Sequence, residues 1–484
     1  MERPSRWIVL VEAALVFTLL AAGLSVRARI ASDWKFIGGD SLGYIKLANE
    51  LRRAHRYALG PGEPPYYVRL PLYPMFLAVT QDAAESGRRA PASQRWVDVV
   101  VTGLLVHLLA RRAAGRVAAL LALALAMFCP LTAIFPAAVM TETLALALTT
   151  ATVALLCAGE RRPRLRYLAA GAVAGLGVLA RPDSLLLGAA FVPALLLHDA
   201  TFRVRAALAG LAFAGFALVY GPWPVRNLAR FGHAYPVGTY ASWHNEPLQH
   251  VDGYRHWVAT WAKDGVPVGL SYCFYEPSCD QGINWYPLLA FDPGERDTVT
   301  KLLAQRRVTG IDATLDAGFE ALASARRARR PLRHHVTLPL RRAFWLWVNP
   351  HNDLVFDPKY RPWRDVFDVV VPKYRGGMIA FGLFTLAGAV LLACRRERRR
   401  VALVLATAIV ARILVLAYAY LMEPRYLLEV LPLAFVLAAA APVEATRRVA
   451  QLARFVRRRR WQASCKGPAM EVCAHGPKPD DPAA

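Results

Sequence analysis

Several motifs for nucleotide binding and hydrolysis are missing from this sequence of 484 residues. It has no Asp-x-Asp pair, which is the usual metal clamp for a nucleotide sugar, and no Gly-x-x-x-x-Gly-Lys loop for ATP phosphates. It also lacks the His-Glu-x-x-His helix of zinc peptidases. These absences argue against ATP-driven transport, against zinc-dependent peptide hydrolysis and against a nucleotide-sugar donor.

Acidic residues are also scarce, because 35 Asp and Glu stand against 59 Lys and Arg and give a net charge of +24. In a soluble protein this charge would suggest nucleic-acid binding. Here most arginines flank apolar runs such as 7–26 and 401–416. In that position they set membrane topology and contact anionic head groups. We therefore expect membrane lipids as partners and no nucleic acid.

Apolar residues make up 56% of the chain, with a mean hydropathy of +0.29, and they fall in separate runs. A membrane-spanning helix needs about 20 such residues. The runs predict an all-α polytopic membrane protein with about ten spans. They lie at 7–26, 94–110, 118–135, 143–158, 167–180, 184–197, 206–222, 377–393, 401–421 and 427–443.

Arginines in the short connecting segments indicate the orientation of the chain. They cluster after the second, fourth, sixth and eighth spans, for example at Arg111 and Arg112, and the opposite connections hold only Arg181 and Arg425. Because positive residues stay on the cytoplasmic side, both termini are predicted to be cytoplasmic. The predicted location is the inner (plasma) membrane, with the long connections 27–93 and 223–376 outside.

Four regions follow from this topology. The first is an N-terminal transmembrane module, 1–222, which includes the outer loop 27–93. An extracytoplasmic loop domain, 223–376, is followed by C-terminal transmembrane helices, 377–445. The tail, 446–484, is predicted to be cytoplasmic, at first basic and then disordered.

Two acids near the predicted outer face are candidates for chemistry. Asp40 lies shortly after the first span, at the start of a predicted surface helix in which Leu42 and Ile45 begin an apolar face. Its alternative role is to cap that helix. Glu142 lies at the outer end of the fourth span, and there a purely structural role at a helix N-terminus is equally consistent.

Arginines on the same side are candidates for binding an anion. Arg69 precedes Pro71 and Pro74, and these two prolines are predicted to keep the chain non-helical. Arg181 interrupts two apolar runs, where an ionisable group suggests function, although pairing with Asp183 is the structural alternative. Together with Arg425 at another outer edge, Arg181 suits a lipid phosphate.

The seven cysteines show no metal-ligand spacing. Cys273 and Cys279 lie in a polar part of the second long loop. If that loop is outside the cytoplasm, a disulfide is favoured over two unpaired thiols. Metal use stays open, and a divalent metal is compatible with the sequence.

Six short motifs, taken in order, resemble the GT-C superfamily, and most of all the bacterial relatives of dolichyl-phosphate-mannose protein mannosyltransferases. The most specific is the Pro-Trp-x-x-Arg-Asn-x-x-x-Phe-Gly segment. One departure is Ser41, where many relatives carry a second acid. The motifs are Gly39-Asp40 with Tyr44, Arg69-x-Pro71-x-Tyr73-Pro74, Thr141-Glu142, Ala180-Arg181-Pro182, Pro222-Trp223-x-x-Arg226-Asn227 and Pro424-Arg425-Tyr426.

The resemblance implies a GT-C-like helical bundle that transfers a sugar, with inversion, from a polyprenyl-phosphate donor to a hydroxyl of a glycan, lipid or protein. It implies Asp40 as general base, with Glu142 beside it. The residues implied for substrate binding are Arg69, Tyr44, Arg181, Arg226, Arg425 and Tyr426. A secondary transporter and a non-catalytic subunit of a cell-envelope polysaccharide assembly machine remain the alternatives.

Overall fold

The structure is a computed structural model. The residues it describes are 6–33, 40–80, 91–159, 161–232, 234, 252–263, 274, 294–349, 364–419 and 423–464. Within these ranges every regular element is a helix and no strand occurs, which confirms the predicted all-α class. The predicted disulfide between Cys273 and Cys279 lies outside the described residues.

The first half of the chain contains twelve described α-helices. They are α1 (Arg6–Asp33), α2 (Asp40–Ala54), α3 (Leu72–Thr80), α4 (Ala92–Trp96), α5 (Gly103–Ala114), α6 (Arg116–Phe128), α7 (Pro130–Ile134), α8 (Glu142–Leu156), α9 (Pro163–Ala180), α10 (Phe191–Leu196), α11 (Phe202–Tyr220) and α12 (Pro222–Phe231). A π-helical turn, Val97–Thr102, joins α4 to α5, and 3₁₀ segments follow α7 (Phe135–Ala137) and precede α10 (Pro182–Ala190).

The second half continues with seven described α-helices. They are α13 (Gly253–Ala259), α14 (Arg296–Thr309), α15 (Ala313–Arg329), α16 (Leu338–Val348), α17 (Arg364–Ala393), α18 (Arg399–Tyr418) and α19 (Leu431–Ser464). A 3₁₀ segment, Pro424–Val430, leads into α19.

Five helices within the described ranges are long and apolar enough to cross a membrane. The candidate spans are Arg6–Ser32, Phe202–Tyr220, Arg375–Ala393, Arg399–Tyr418 and Arg425–Arg457. Helices α6 and α7 with the 3₁₀ turn after them form a pair bent by 52°, which would add a sixth span. The chain is an integral membrane protein by these helices. The predicted count of about ten spans is not confirmed, although each predicted run overlaps a described helix.

Three segments are helical where the sequence did not predict a helix. Helix α1 continues to Asp33, past residue 27, where the first loop is predicted to begin. Pro74 lies inside α3, because a proline in the first turn of a helix loses no internal hydrogen bond. The basic start of the tail is helical, since α19 extends to Ser464, and the residues after it lie outside the described part.

Helices α9 and α11 pack at backbone distance through glycines. A Cβ at Gly171 would lie 1.8 Å from the carbonyl oxygen of Ala212, and one at Gly215 would lie 2.1 Å from that of Leu168. No methyl group fits at such distances. Gly171 and Gly215 therefore serve close helix packing.

We expect Gly215→Ala to lower the free energy of unfolding by about 1–3 kcal/mol, because the new methyl group must push two backbones apart. SDS-induced unfolding in mixed micelles measures the change. Gly210→Ala, on the same helix with no atom within 4 Å of the added Cβ, is the matched control. Equal stabilities of the two variants would contradict the packing.

Candidate active site

Asp40 begins helix α2 and is one of the more accessible acids of the region. Its side chain is 32% exposed, and its Oδ1 accepts a hydrogen bond of 2.9 Å from Nη2 of Arg69. Helix α2 packs on the protein through Ile45, Leu47 and Ala48, which are buried. The packed helix therefore holds the Asp40 carboxylate at its exposed N-terminal end.

The turn before α3 fixes Arg69. The Tyr57 hydroxyl lies 2.9 Å from the carbonyl oxygen of Arg69 and 3.1 Å from that of Leu70, so it ties this turn to the end of α2. The Arg69 guanidinium lies over the Tyr44 ring, 4.6 Å from its centroid. Tyr73 meets the same ring edge-on at 5.1 Å. Burial raises the pKa of Tyr44, so its hydroxyl stays protonated at neutral pH.

Gly43 makes room for Arg69, since a Cβ there would lie 2.8 Å from Nε of Arg69. We expect Gly43→Ala to fold, because the clash involves the flexible end of a side chain, but to disturb the Arg69–Asp40 bond. Loss of a charge-assisted hydrogen bond corresponds to about a tenfold fall in turnover. Gly188→Ala, where a Cβ meets nothing within 4 Å, is the control. Unchanged turnover in Gly43→Ala would show that this contact is dispensable.

Glu142 is the first residue of α8, and its side chain is only 1% exposed. Its Oε1 accepts a 2.7 Å hydrogen bond from Nη1 of Arg181, which also lies 3.1 Å from Oγ1 of Thr141. Arg181, which lies outside α8, thus pairs with the buried Glu142 carboxylate at the N-terminus of α8.

Arg181 lies between α9 and the following 3₁₀ segment and contacts two further carboxylates. Its Nε lies 3.3 Å from Asp183 and 3.0 Å from Glu429. The pairing with Asp183 expected as a structural alternative is present, but it is the longest of the three contacts.

Arg412 and Glu429 belong to the site although sequence reasoning did not select them. Nη2 of Arg412 lies 2.6 Å from Oδ2 of Asp183 and 2.8 Å from Oε1 of Glu429, and its Nε donates to the carbonyl oxygen of Tyr426. Ser184 donates a hydrogen bond of 3.1 Å to Glu429. Each of the two charges interrupts an apolar run, and this is the signal that could have identified them.

Arg425 joins the two candidate acids. Its Nη1 lies 4.0 Å from Asp40 and 4.0 Å from Glu142, while its Nε contacts Glu423. The Tyr426 ring lies close to two guanidinium groups, 5.1 Å from that of Arg181 and 5.4 Å from that of Arg425. We call the whole set the acid–arginine cluster. It consists of Asp40, Arg69, Glu142, Arg181, Asp183, Arg412, Glu423, Arg425 and Glu429.

Arg226 does not contact this cluster. It lies on α12 and donates to Oδ1 of Asn227 at 2.8 Å. Its guanidinium lies 4.6 Å from the Trp223 ring centroid and 5.6 Å from that of Tyr57. The predicted substrate-binding arginines are therefore at two places, with Tyr57 in contact with Arg226 at one place and with the backbone of Arg69 at the other.

No group of three or more His, Cys, Asp or Glu within the described ranges is arranged to hold a metal ion. The acid–arginine cluster instead pairs each carboxylate with a guanidinium. This arrangement places the partly exposed carboxylate of Asp40 next to positive charge. A carboxylate in that position can remove a proton from a group that reacts beside a bound anion.

A family model described as dolichyl-phosphate-mannose-protein mannosyltransferase matches residues 72–223. The matched segment includes Glu142, Arg181 and Trp223, while Asp40 and Arg412 lie outside it. No curated protein matches this sequence.

Two solved structures are similar in arrangement. The archaeal oligosaccharyltransferase AglB from Archaeoglobus fulgidus, in complex with an inhibitory peptide and a dolichol-phosphate, is 14% identical with a TM-score of 0.47, over 96% of this chain and 52% of that chain. ArnT from Cupriavidus metallidurans, bound to undecaprenyl phosphate, is 16% identical with a TM-score of 0.38, over 92% of this chain and 79% of that chain. This chain spans about half the length of the archaeal protein.

The family match covers only part of the chain. That part contains Glu142 and Arg181 of the candidate site. Over residues 72–223 the chain resembles a GT-C superfamily membrane glycosyltransferase of the dolichyl-phosphate-mannose-protein mannosyltransferase type, and the resemblance predicted from its motifs is confirmed.

Proposed function

We propose that the chain is a glycosyltransferase that moves a sugar from a polyprenyl-phosphate donor to an acceptor hydroxyl on the extracytoplasmic face of the membrane. The observation that carries the proposal is the position of Asp40, a partly exposed carboxylate bonded to Arg69 and 4.0 Å from Arg425. The match to a mannosyltransferase family supports the same reaction type.

Asp40 is the better base of the two candidate acids. Glu142 is only 1% exposed and its Oε1 is bonded to Arg181, so burial keeps an acceptor hydroxyl away from it. The second oxygen of Asp40, Oδ2, lies 4.0 Å from Arg425, and the side chain is 32% exposed. A hydroxyl can approach this oxygen to hydrogen-bond distance, which is the geometric requirement for a general base.

The reaction needs one base and no protein acid. The acceptor hydroxyl gives its proton to Asp40 as its oxygen bonds to the anomeric carbon, and the bond from that carbon to the phosphate oxygen breaks. Phosphate leaves with the electron pair, so no acid has to protonate it. Attack opposite to the leaving group inverts the anomeric configuration.

Charge on the donor phosphate grows during this step, from one negative charge in the diester towards two in the released monoester. Nearby guanidinium groups stabilise such developing charge. Arg425 lies 4.0 Å from both Asp40 and Glu142, and Arg181 is bonded to Glu142, so these two guanidinium groups are placed for this role. The Tyr426 ring packs against both of them.

The other end of the bundle supports the proposed orientation. There Arg398 donates to the carbonyl oxygen of Arg112, Arg447 donates to that of Ala114 at 2.7 Å, and Arg400 donates to that of Leu156 at 3.0 Å. The arginine-rich connections thus meet at one end. With that end in the cytoplasm, the acid–arginine cluster faces outwards.

The test is release of polyprenyl phosphate by the purified chain from a panel of polyprenyl-phosphate sugars with a mixed pool of glycan, lipid and peptide acceptors. We expect release from at least one donor, and none from the corresponding nucleotide sugars. Lipid movement across vesicles without sugar release would point to a transporter. Binding of lipid with neither activity would point to a subunit of an assembly machine.

A further inference from the structure

The acid–arginine cluster is assembled from two parts of the protein that are distant in the sequence. On the Asp40 side, Asp40 of α2 is bonded to Arg69 in the turn before α3. On the Glu142 side, Glu142 at the start of α8 is bonded to Arg181. Arg425 lies 4.0 Å from the acid of each side. Proton removal by Asp40 beside a phosphate held by Arg181 and Arg425 therefore requires a fixed spacing between the two sides.

Apolar contacts bring the two sides together. Ile45 of α2 and Tyr73 of α3 belong to a buried apolar cluster that also contains Val139, and Val139 shortly precedes Glu142 in the chain. Apolar contacts are non-directional. They hold the two sides against each other without fixing one spacing between them.

A buried amide bridges the two sides. Gln94 lies on α4 and is only 1% exposed. Its Oε1 accepts a hydrogen bond of 2.9 Å from the Tyr73 hydroxyl. Its Nε2 donates to the carbonyl oxygen of Phe135 at 3.1 Å and to that of Ala138 at 2.6 Å. One side chain therefore contacts both α3 and the segment that leads into α8.

Both ends of this bridge continue towards the cluster. On the Asp40 side, the Tyr73 ring meets the Tyr44 ring edge-on at 5.1 Å, and the Arg69 guanidinium lies 4.6 Å from the Tyr44 ring centroid. On the Glu142 side, Ala138 stands shortly before Glu142 in the chain. The bridge thus reaches the neighbours of both acids.

We propose that Gln94 is a positioning residue, which sets the distance between Asp40 and the arginines that hold the donor phosphate. The role in catalysis rests on the proposed function, because this spacing matters for turnover only if Asp40 acts beside that phosphate. An amide fits the place, since it can accept from the Tyr73 hydroxyl and donate to two carbonyl oxygens. Buried polar contacts that are satisfied in this way favour one arrangement of the segments they join.

The test uses Gln94→Glu, with turnover measured as a function of pH. The protonated carboxyl group has nearly the shape of the amide, and it can still accept from Tyr73 and donate to Ala138. The ionised group instead places a negative oxygen against two carbonyl oxygens. Burial and these oxygens favour the protonated form, so we expect the introduced group to ionise between about pH 5 and pH 8.

We expect kcat of Gln94→Glu to fall on the order of tenfold as the pH rises through this range, because ionisation pushes the two sides apart. The wild type should keep or gain activity over the same range, since Asp40 must be ionised to act as a base. KM for the donor should change less than kcat, because Arg181 and Arg425 hold the donor phosphate. A loss of stability alone would leave the pH profile per folded molecule unchanged.

Two further variants complete the comparison. Gln305→Glu makes the same exchange at a half-buried position on α14, and this matched control should keep the wild-type profile. Tyr73→Phe removes only the hydroxyl at one end of the bridge and should also lower kcat, so it remains informative if the Gln94 variant folds poorly. A wild-type pH profile in Gln94→Glu would overturn the proposal, as would wild-type kcat in Tyr73→Phe.

A fluorine label separates failure of this proposal from failure of the proposed function. Fluorotyrosine at position 44, on the Asp40 side, gives an NMR signal that does not require sugar transfer. In Gln94→Glu we expect this signal to shift over the pH range in which the introduced group ionises, whereas it should stay constant when Gln94 is present. This shift in a protein whose wild type transfers no sugar would contradict the proposed function alone. A signal that does not respond to pH in Gln94→Glu would contradict the bridge.

Discussion

Asp40→Asn is expected to lower sugar transfer by about 10²- to 10⁴-fold, the range for loss of a general base, while donor lipid still binds. Asparagine has the same shape as aspartate and serves equally well at a helix N-terminus, so α2 should stay intact. Its amide cannot accept a proton from the acceptor hydroxyl. The loss therefore falls on the chemical step rather than on folding.

Single-turnover transfer and donor binding, measured on the same preparation, separate these effects. Asp297→Asn is the control, because Asp297 is also an acid in the first turn of a helix, but it is exposed and away from the cluster. Full turnover in Asp40→Asn would remove Asp40 from the mechanism and leave Glu142 as the acid to test.

Arg412→Met is expected to lower the free energy of unfolding by about 3–5 kcal/mol, as loss of one partner from a buried ion pair does. Arg412 lies on α18 with its side chain only 4% exposed, and it contacts Asp183 and Glu429. Methionine fills much of the same volume but leaves both carboxylates with Arg181 alone. The cost is therefore uncompensated charge rather than a cavity.

SDS-induced unfolding measures this change, and two variants serve as controls. Arg412→Met with Glu429→Gln removes one of the stranded charges and should recover part of the loss. Arg454→Met, on the exposed end of α19, should have little effect. If Arg412→Met is as stable as Arg454→Met, the cluster does not depend on this ion pair.

Part of the site could be predicted because its residues stand next to helix ends. Asp40, Glu142, Arg181 and Arg425 all interrupt the pattern of apolar runs at places where a charge is costly or exposed. The structure brings these four residues from distant segments into one cluster.

Other features could not be predicted, because they depend on contacts between distant segments. Arg412 pairs with Asp183, which lies 229 positions away, and no local pattern links them. The break after Phe128 and the 3₁₀ segment 182–190 shorten two predicted spans, whereas run length alone predicts straight helices. The contact of Arg226 with the Tyr57 ring likewise joins segments that are far apart in the sequence.

The most direct test of the proposed transfer is the anomeric configuration of the first product, determined by NMR with a polyprenyl-phosphate donor of known configuration. One base and one displacement predict a transferred sugar of inverted configuration, with one polyprenyl phosphate released for each sugar transferred. A product of retained configuration would contradict the account, because it requires a second displacement and a nucleophile that Asp40 as a base does not provide.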